Sequence, residues 1–178
     1  MNTNTSSRPR VALFEPRIPQ NTGTIGRSCL AFNMSLDIIK PTGFSFEDKY
    51  LKRAGLDYWR HVDVHLYESF DEYKNSFKKS RIIALTKKSN NLISNIIYKD
   101  TDILLFGRED TGLPDNIMDK CEIVAGIPMP GGENQLKTGG VRSLNLSVAS
   151  GIVCYSACLQ LNLLSKTSSN SLFLIYSR

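Results

Sequence analysis

The chain is poor in the residues that build metal centres. It has only two histidines, His61 and His65, and its four cysteines, Cys29, Cys121, Cys154 and Cys158, form no C-x-x-C pair. Structural zinc sites need clustered ligands at short spacings, so the cysteines read as small buried side chains in a reducing compartment, and no metal is expected. No apolar run reaches the roughly 18 residues that a membrane span requires. The first ten residues, MNTNTSSRPR, lack the apolar stretch of a secretory signal. The expected compartment is therefore the cytoplasm, with no membrane partner. G-x-G-x-x-G is absent, which removes the usual dinucleotide fingerprint, and G-x-S-x-G is absent, which argues against an α/β-hydrolase. The nearest approach to a phosphate-binding P-loop, Gly107–Gly112, lacks the lysine that would touch phosphate.

What is present reads as one globular domain. A chain of 178 residues buries a core without disulfides or metals. Five short apolar runs read as strands: Arg10–Phe14, Leu36–Ile39, Ile82–Leu85, Ile103–Phe106 and Ile123–Ala125; Val62–Leu66 alternates more weakly. Between them lie helical stretches. One runs from Thr22 to Phe32 with Asn21 as cap, a charged one covers Glu47–Ala54, and Ser69 caps another that reaches Phe77. Pro114–Lys120 has room for one or two turns. From Leu144 to Leu164 apolar residues recur at helical spacing behind Ser143 as cap. Strands alternating with helices predict an α/β fold with a mainly parallel sheet. Residues 1–9 read as a disordered lead-in, 10–164 as the domain and 165–178 as a tail. The stretch GGENQLKTGG, Gly131–Gly140, is a flexible loop by composition.

The net charge is +5, and its placement matters more than its size. Six basic residues and no acidic one lie between Lys74 and Lys88, and a second cluster comprises Lys49, Lys52, Arg53 and Arg60. Each is either a solvated face or a surface for phosphates.

In an open parallel sheet ligands bind beyond the carboxyl ends of the strands. Three segments fall there: PQNTGTIGR (19–27), FGREDTGLP (106–114), and the stretch from Ile127 to Ser147 that contains IPMP and RSLNLS. In this order they resemble the three motifs of the SPOUT (SpoU-type) RNA methyltransferases. FEPRIPQNTGTIGR and GFSFEDKYLKRAGLDYW are similar to one branch of that family, short enzymes that methylate the ribose of the tRNA wobble nucleotide. The resemblance covers residues 10–160. It implies a single α/β domain whose C-terminal part forms a deep trefoil knot, a rare exception among folds. It further implies S-adenosylmethionine as methyl donor, tRNA as substrate, and a homodimer whose interface completes the active site.

The same resemblance implies residue roles. Asn21 and Arg27 would meet the ribose and phosphate of the target nucleotide. A guanidinium keeps its proton above pH ~12, so Arg27 would stabilise charge developing on the 2′-oxygen rather than act as a base. Glu109 would position Asn21 or Arg27, and Gly107 would let the backbone approach the donor. Backbone groups of Ile127 and Met129 would read the adenine, with Leu85 and Leu144 beside them. Ser143 and Asn145 would lie at a helix N-terminus, whose N–H groups lack partners. Tyr155 matches a tyrosine near the active site of the branch. Lys52 and Arg53 would bind RNA, with Tyr58 and Trp59 nearby to stack on bases. One departure is the GGENQLKTGG link, longer than the branch usually has, a lid or a disordered loop. Three other readings stay open: methylation of a different tRNA or rRNA nucleotide, a non-catalytic RNA-binding knot protein, and a nucleotide-dependent enzyme of the doubly wound type that binds a dinucleotide instead of S-adenosylmethionine.

Overall fold

The computed structural model describes residues 8–45, 58–129, 141 and 143–164. The expected charged helix at Glu47–Ala54, the Gly131–Gly140 loop and the 165–178 tail lie outside them.

The elements run β1 (Arg10–Phe14), α1 (Pro19–Phe32), β2 (Leu36–Ile39), β3 (Val64–Tyr67), α2 (Phe70–Ser76), β4 (Ile82–Leu85), β5 (Ile103–Phe106), α3 (Asp115–Met118), β6 (Ile123–Ala125) and α4 (Leu146–Gln160). Single 3-10 turns occur at Trp59–His61 and Ile93–Asn95. The described residues build a six-stranded sheet in the order β3-β2-β1-β5-β4-β6, every pair parallel.

The apolar runs are strands because they are buried on both faces. In β1, Val11 and Leu13 pack to one side with α1 and α4, while Ala12 and Phe14 pack to the other with α2 and α3. β5 divides the same way, Leu104 and Phe106 against Ile103 and Leu105. This period of two on a doubly covered sheet places two cores back to back. On the first, α1 packs directly against α4, and Cys29, Cys154, Ala157 and Cys158 are sealed between them and the sheet.

Two helix starts differ from the sequence expectation. α1 begins at Pro19, not Thr22, with Ile18 as N-cap and no side-chain cap of its own. Proline suits the first helical position, where no N–H is needed. Asn21 is thereby carried inside the first turn, its side chain free for other contacts. α4 begins at Leu146 behind Asn145, not behind Ser143. The Ser69 cap does form, accepting from the Glu72 N–H at 3.2 Å, and β3 is shifted to Val64–Tyr67.

Three of the six cations in the Lys74–Lys88 run have partners within the protein. Arg81 makes a two-pronged pair with the buried Asp102 at 3.0 and 2.7 Å. Lys74 bonds the Lys120 carbonyl and lies 3.5 Å from Glu122, and Lys88 pairs with Asp115 at 2.9 Å. Strand β4 runs through the middle of the run and sends its charges to different neighbours.

A buried ion pair ties β1 to β2. Asp37 is fully buried and takes both prongs of Arg10 at 2.7 and 2.6 Å, while the Tyr73 hydroxyl donates to it at 2.8 Å. The burial of Tyr73 and the carboxylate beside it hold its phenol well above its ordinary pKa. Removing one member strands the others, which costs about 3 kcal/mol or more. Asp37→Ala is expected to lower the unfolding free energy by about 3 kcal/mol in denaturant titrations.

Candidate functional site

The strand order reverses between β1 and β5, the position at which doubly wound sheets open a crevice. There the carboxyl ends of β4, β5 and β6 and the N-termini of α1 and α4 surround a cavity of about 440 Å3. That size suits a small organic ligand, for which roughly 300–1,000 Å3 is usual. Leu85, Phe106, Ile127 and Leu144 give it apolar walls, and Asn21, Glu109 and Asn145 form a polar edge.

Those three polar residues, one from each motif segment, are joined. The Glu109 carboxylate accepts from the backbone N–H groups of Arg17 at 2.8 Å and Ile18 at 3.2 Å, and from Asn21 Nδ2 at 3.1 Å. It thus holds, from another segment, the two residues that lead into α1, and puts negative charge near the positive end of that helix. Asn21 Oδ1 then accepts from Asn145 Nδ2 at 3.1 Å. Asn145 Oδ1 accepts from the N–H groups of Ser147 at 2.8 Å and Val148 at 3.4 Å and caps α4. A carboxylate only accepts and a backbone N–H only donates. Both amides are therefore fixed in orientation from their two ends.

Gly107 lines the cavity, but its lack of a side chain serves the protein chain. A Cβ there would lie 2.3 Å from Gly112 C and 2.4 Å from Leu113 N. The loop returns directly over Gly107, closed by Arg108 and Gly112 exchanging N–H···O bonds at 3.2 and 2.9 Å. This tight return is what aims Glu109 at α1.

Leu85, Ile127, Met129, Ser143 and Leu144 also line the cavity. Among the described residues the backbone of Ile127 and of Met129 makes no hydrogen bond to another backbone group, leaving an edge of donors and acceptors beside apolar walls. That combination fits a flat heteroaromatic ring such as adenine.

Arg27 and Tyr155 are not at the cavity. Arg27 is exposed and sits over the Tyr58 ring, 5.3 Å from its centroid. Six residues at 3.6 per turn set it about 120° around α1 from Asn21. Glu109 therefore holds Asn21 and not Arg27. Tyr155 is 51% exposed on the outer face of α4, in a stripe with Val148, Ile152 and Leu159. Lys52 and Arg53 fall outside the described residues.

Sequence reasoning missed Thr86 and saw Lys87 and Lys88 only as part of a basic run; all three line the cavity where β4 ends. The signal was available in the polar TKK that directly follows the IIAL strand. No thiol is poised to react nearby. Burial pushes the Cys154 thiol up to about 12 and holds Cys29 well above its ordinary value. Among the described residues no three His, Cys, Asp or Glu side chains are grouped to hold a metal ion, and no helix is long and apolar enough to cross a membrane.

The SpoU rRNA Methylase family matches residues 8–155. A Yersinia pestis protein named tRNA (cytidine(34)-2'-O)-methyltransferase is 41% identical over 156 residues, spanning 85% of this chain and 93% of its own. A solved structure concerned with 2-OH methylation of C/U34 on tRNA is 37% identical with a TM-score of 0.80, covering 88% of this chain and 97% of that one. An S-adenosylmethionine-bound rRNA methyltransferase of Sinorhizobium meliloti is 25% identical with a TM-score of 0.74, covering 86% of this chain and 57% of that one.

The three bonds that Glu109 accepts at the entry to α1 set an expectation. Glutamine has one acceptor oxygen for three N–H donors, and its own NH2 would face one of them. Glu109→Gln is expected to cost about 1–3 kcal/mol in denaturant unfolding. A variant as stable as the wild type would show that these bonds carry no weight.

Proposed function

Because the chain belongs to the SpoU rRNA Methylase family, we propose that it transfers a methyl group from S-adenosylmethionine to the ribose 2′-hydroxyl of the tRNA wobble nucleotide, cytidine or uridine. The observation that carries this reading is the Glu109–Asn21–Asn145 chain of hydrogen bonds at the cavity edge, supported by the relatives' names and coverage.

When bound, S-adenosylmethionine supplies a methyl carbon on a sulfonium that departs as a neutral thioether, so the leaving group requires no acid and no metal. Leu85, Ile127, Met129 and Leu144, which line the cavity, would hold its adenine, and Gly107 and Ser143 would border it. Asn21 and Asn145, fixed in orientation, present amide groups to the ribose and bring its hydroxyl onto the methyl axis. Arg27 binds phosphate and stabilises the charge developing on the 2′-oxygen, while a phosphate oxygen of the RNA takes the proton. Lys87 at the cavity supplies a cation for the RNA backbone, and Lys52 and Arg53, assigned from the sequence, add two more.

Arg27 faces away from the cavity of its own chain. We take the working unit to be a homodimer in which it serves the partner's cavity. The apolar stripe of Val148, Ile152, Tyr155 and Leu159, each between 40% and 56% exposed, is the surface that a second copy would cover. On this reading residues 10–164 form a knotted catalytic domain working in the cytoplasm.

Incubation with methyl-labelled S-adenosylmethionine and bulk tRNA, followed by nucleoside mass spectrometry, is expected to find a 2′-O-methylated pyrimidine at position 34. Label on another ribose would overturn the choice of nucleotide, and no label together with no donor binding would favour a non-catalytic RNA-binding protein. Arg27→Ala is expected to keep donor affinity in calorimetry and to lose about 100-fold in kcat. Loss of donor binding in a folded variant would overturn the assignment of Arg27 to the RNA side.

A further inference from the structure

Arg27 lies outside the Glu109–Asn21–Asn145 network, yet it is not an unsupported surface side chain. Its guanidinium rests on the face of Tyr58, 5.3 Å from the ring centroid. Tyr58 is itself anchored: its hydroxyl donates to the Gly23 carbonyl on α1 at 3.1 Å. The neighbouring Trp59 closes the seat, because a Cβ at Gly26 would come within 2.5 Å of the indole. Trp59 and Tyr58 both pack against the core that α1 helps to form. The Tyr58–Trp59 pair is thus docked on the same helix, one turn before Arg27. Burial raises the Tyr58 phenol above its ordinary pKa while the positive charge of Arg27 draws it back down, so the two groups sense each other.

We infer that Tyr58 is a positioning residue for methyl transfer, an aromatic platform that fixes the Arg27 guanidinium through its ring face. This rests on the reading of Arg27 as the group that stabilises the reacting oxygen. A guanidinium held on an aromatic face keeps its charge and its outward N–H donors while losing the rotamer freedom of a long side chain. It therefore meets phosphate and ribose with less ordering still to be done. Tyr58 needs to touch neither substrate to have this effect. Tyr58 and Trp59 thereby gain a role distinct from stacking on RNA bases.

The test varies the ring's charge distribution at constant size. Position 58 of the full-length protein is filled with phenylalanine and then with phenylalanines carrying increasing numbers of ring fluorines, which progressively weaken the negative ring face. Because every member lacks the hydroxyl bond to Gly23, the phenylalanine variant is the reference: from it through the fluorinated rings kcat for tRNA methylation is expected to fall stepwise by about fivefold, with donor affinity and Tm constant along the series. A packing role alone would leave kcat flat, and a flat series overturns the inference. In an Arg27→Ala background the series is expected to be flat, and a gradient that persists there overturns the inference as well. If Arg27→Ala alone methylates at the wild-type rate, the reading of Arg27 falls, and the role of Tyr58 falls with it.

Discussion

Everything at the candidate site depends on one carboxylate lying across the start of α1. Glu109 accepts from two backbone N–H groups that lead into that helix and from one side-chain amide. Because the carboxylate can only accept, Asn21 must turn its NH2 toward it and its oxygen away. That oxygen meets Asn145, whose own oxygen is held by the N–H groups of α4. Three segments far apart in sequence are therefore set relative to one another by donor and acceptor chemistry with a single consistent direction. The cavity lies beside this chain of bonds, so its polar edge is fixed before any ligand arrives.

The sheet explains why the segments meet. Strands β1 and β5 are neighbours although three strands of sequence separate them, so the loops after each emerge side by side. α1 leaves from one loop, and Glu109 belongs to the other. The tight return over Gly107 turns the second loop back toward the first. On the covered side α1 and α4 pack together, which brings Asn145 to Asn21. The outward faces of the same two helices carry Arg27 and the apolar stripe of Val148, Ile152 and Leu159. One helix pair thus supplies an internal edge to the cavity and an exposed apolar face on the outside, which a second copy covers in the proposed dimer.

The strands were readable because both of their faces are buried, so Arg10–Phe14, Leu36–Ile39, Ile82–Leu85, Ile103–Phe106 and Ile123–Ala125 stand out as apolar runs with the observed bounds. The helix starts were less so. Asn21 and Ser143 have capping chemistry, and local propensity gave them that role. The tertiary partner Glu109 frees Asn21 from it, and Asn145 is the better placed cap for α4. Cavity residues such as Leu85, Ile127 and Leu144 were found because they follow strands in recognisable segments. The separation of Arg27 from Asn21 follows only from helical phase, and its seat on Tyr58 from a contact 31 positions away in sequence. The basic run stayed ambiguous because charge counted along a chain does not say which acids fold beside it, as Asp102, Asp115 and Glu122 do beside Arg81, Lys88 and Lys74.

The central claim is that Glu109 and Asn145, which share no hydrogen bond with each other, act as one unit through the Asn21 amide. A double-mutant cycle with Glu109→Ala and Asn145→Ala, read by denaturant unfolding, tests it most directly. Mutations at unlinked sites add to within about 0.5 kcal/mol. The connected network predicts a coupling energy of about 1 kcal/mol or more, with the coupling abolished when Asn21 is first replaced by alanine. Additive effects, or coupling that survives without Asn21, would contradict the account.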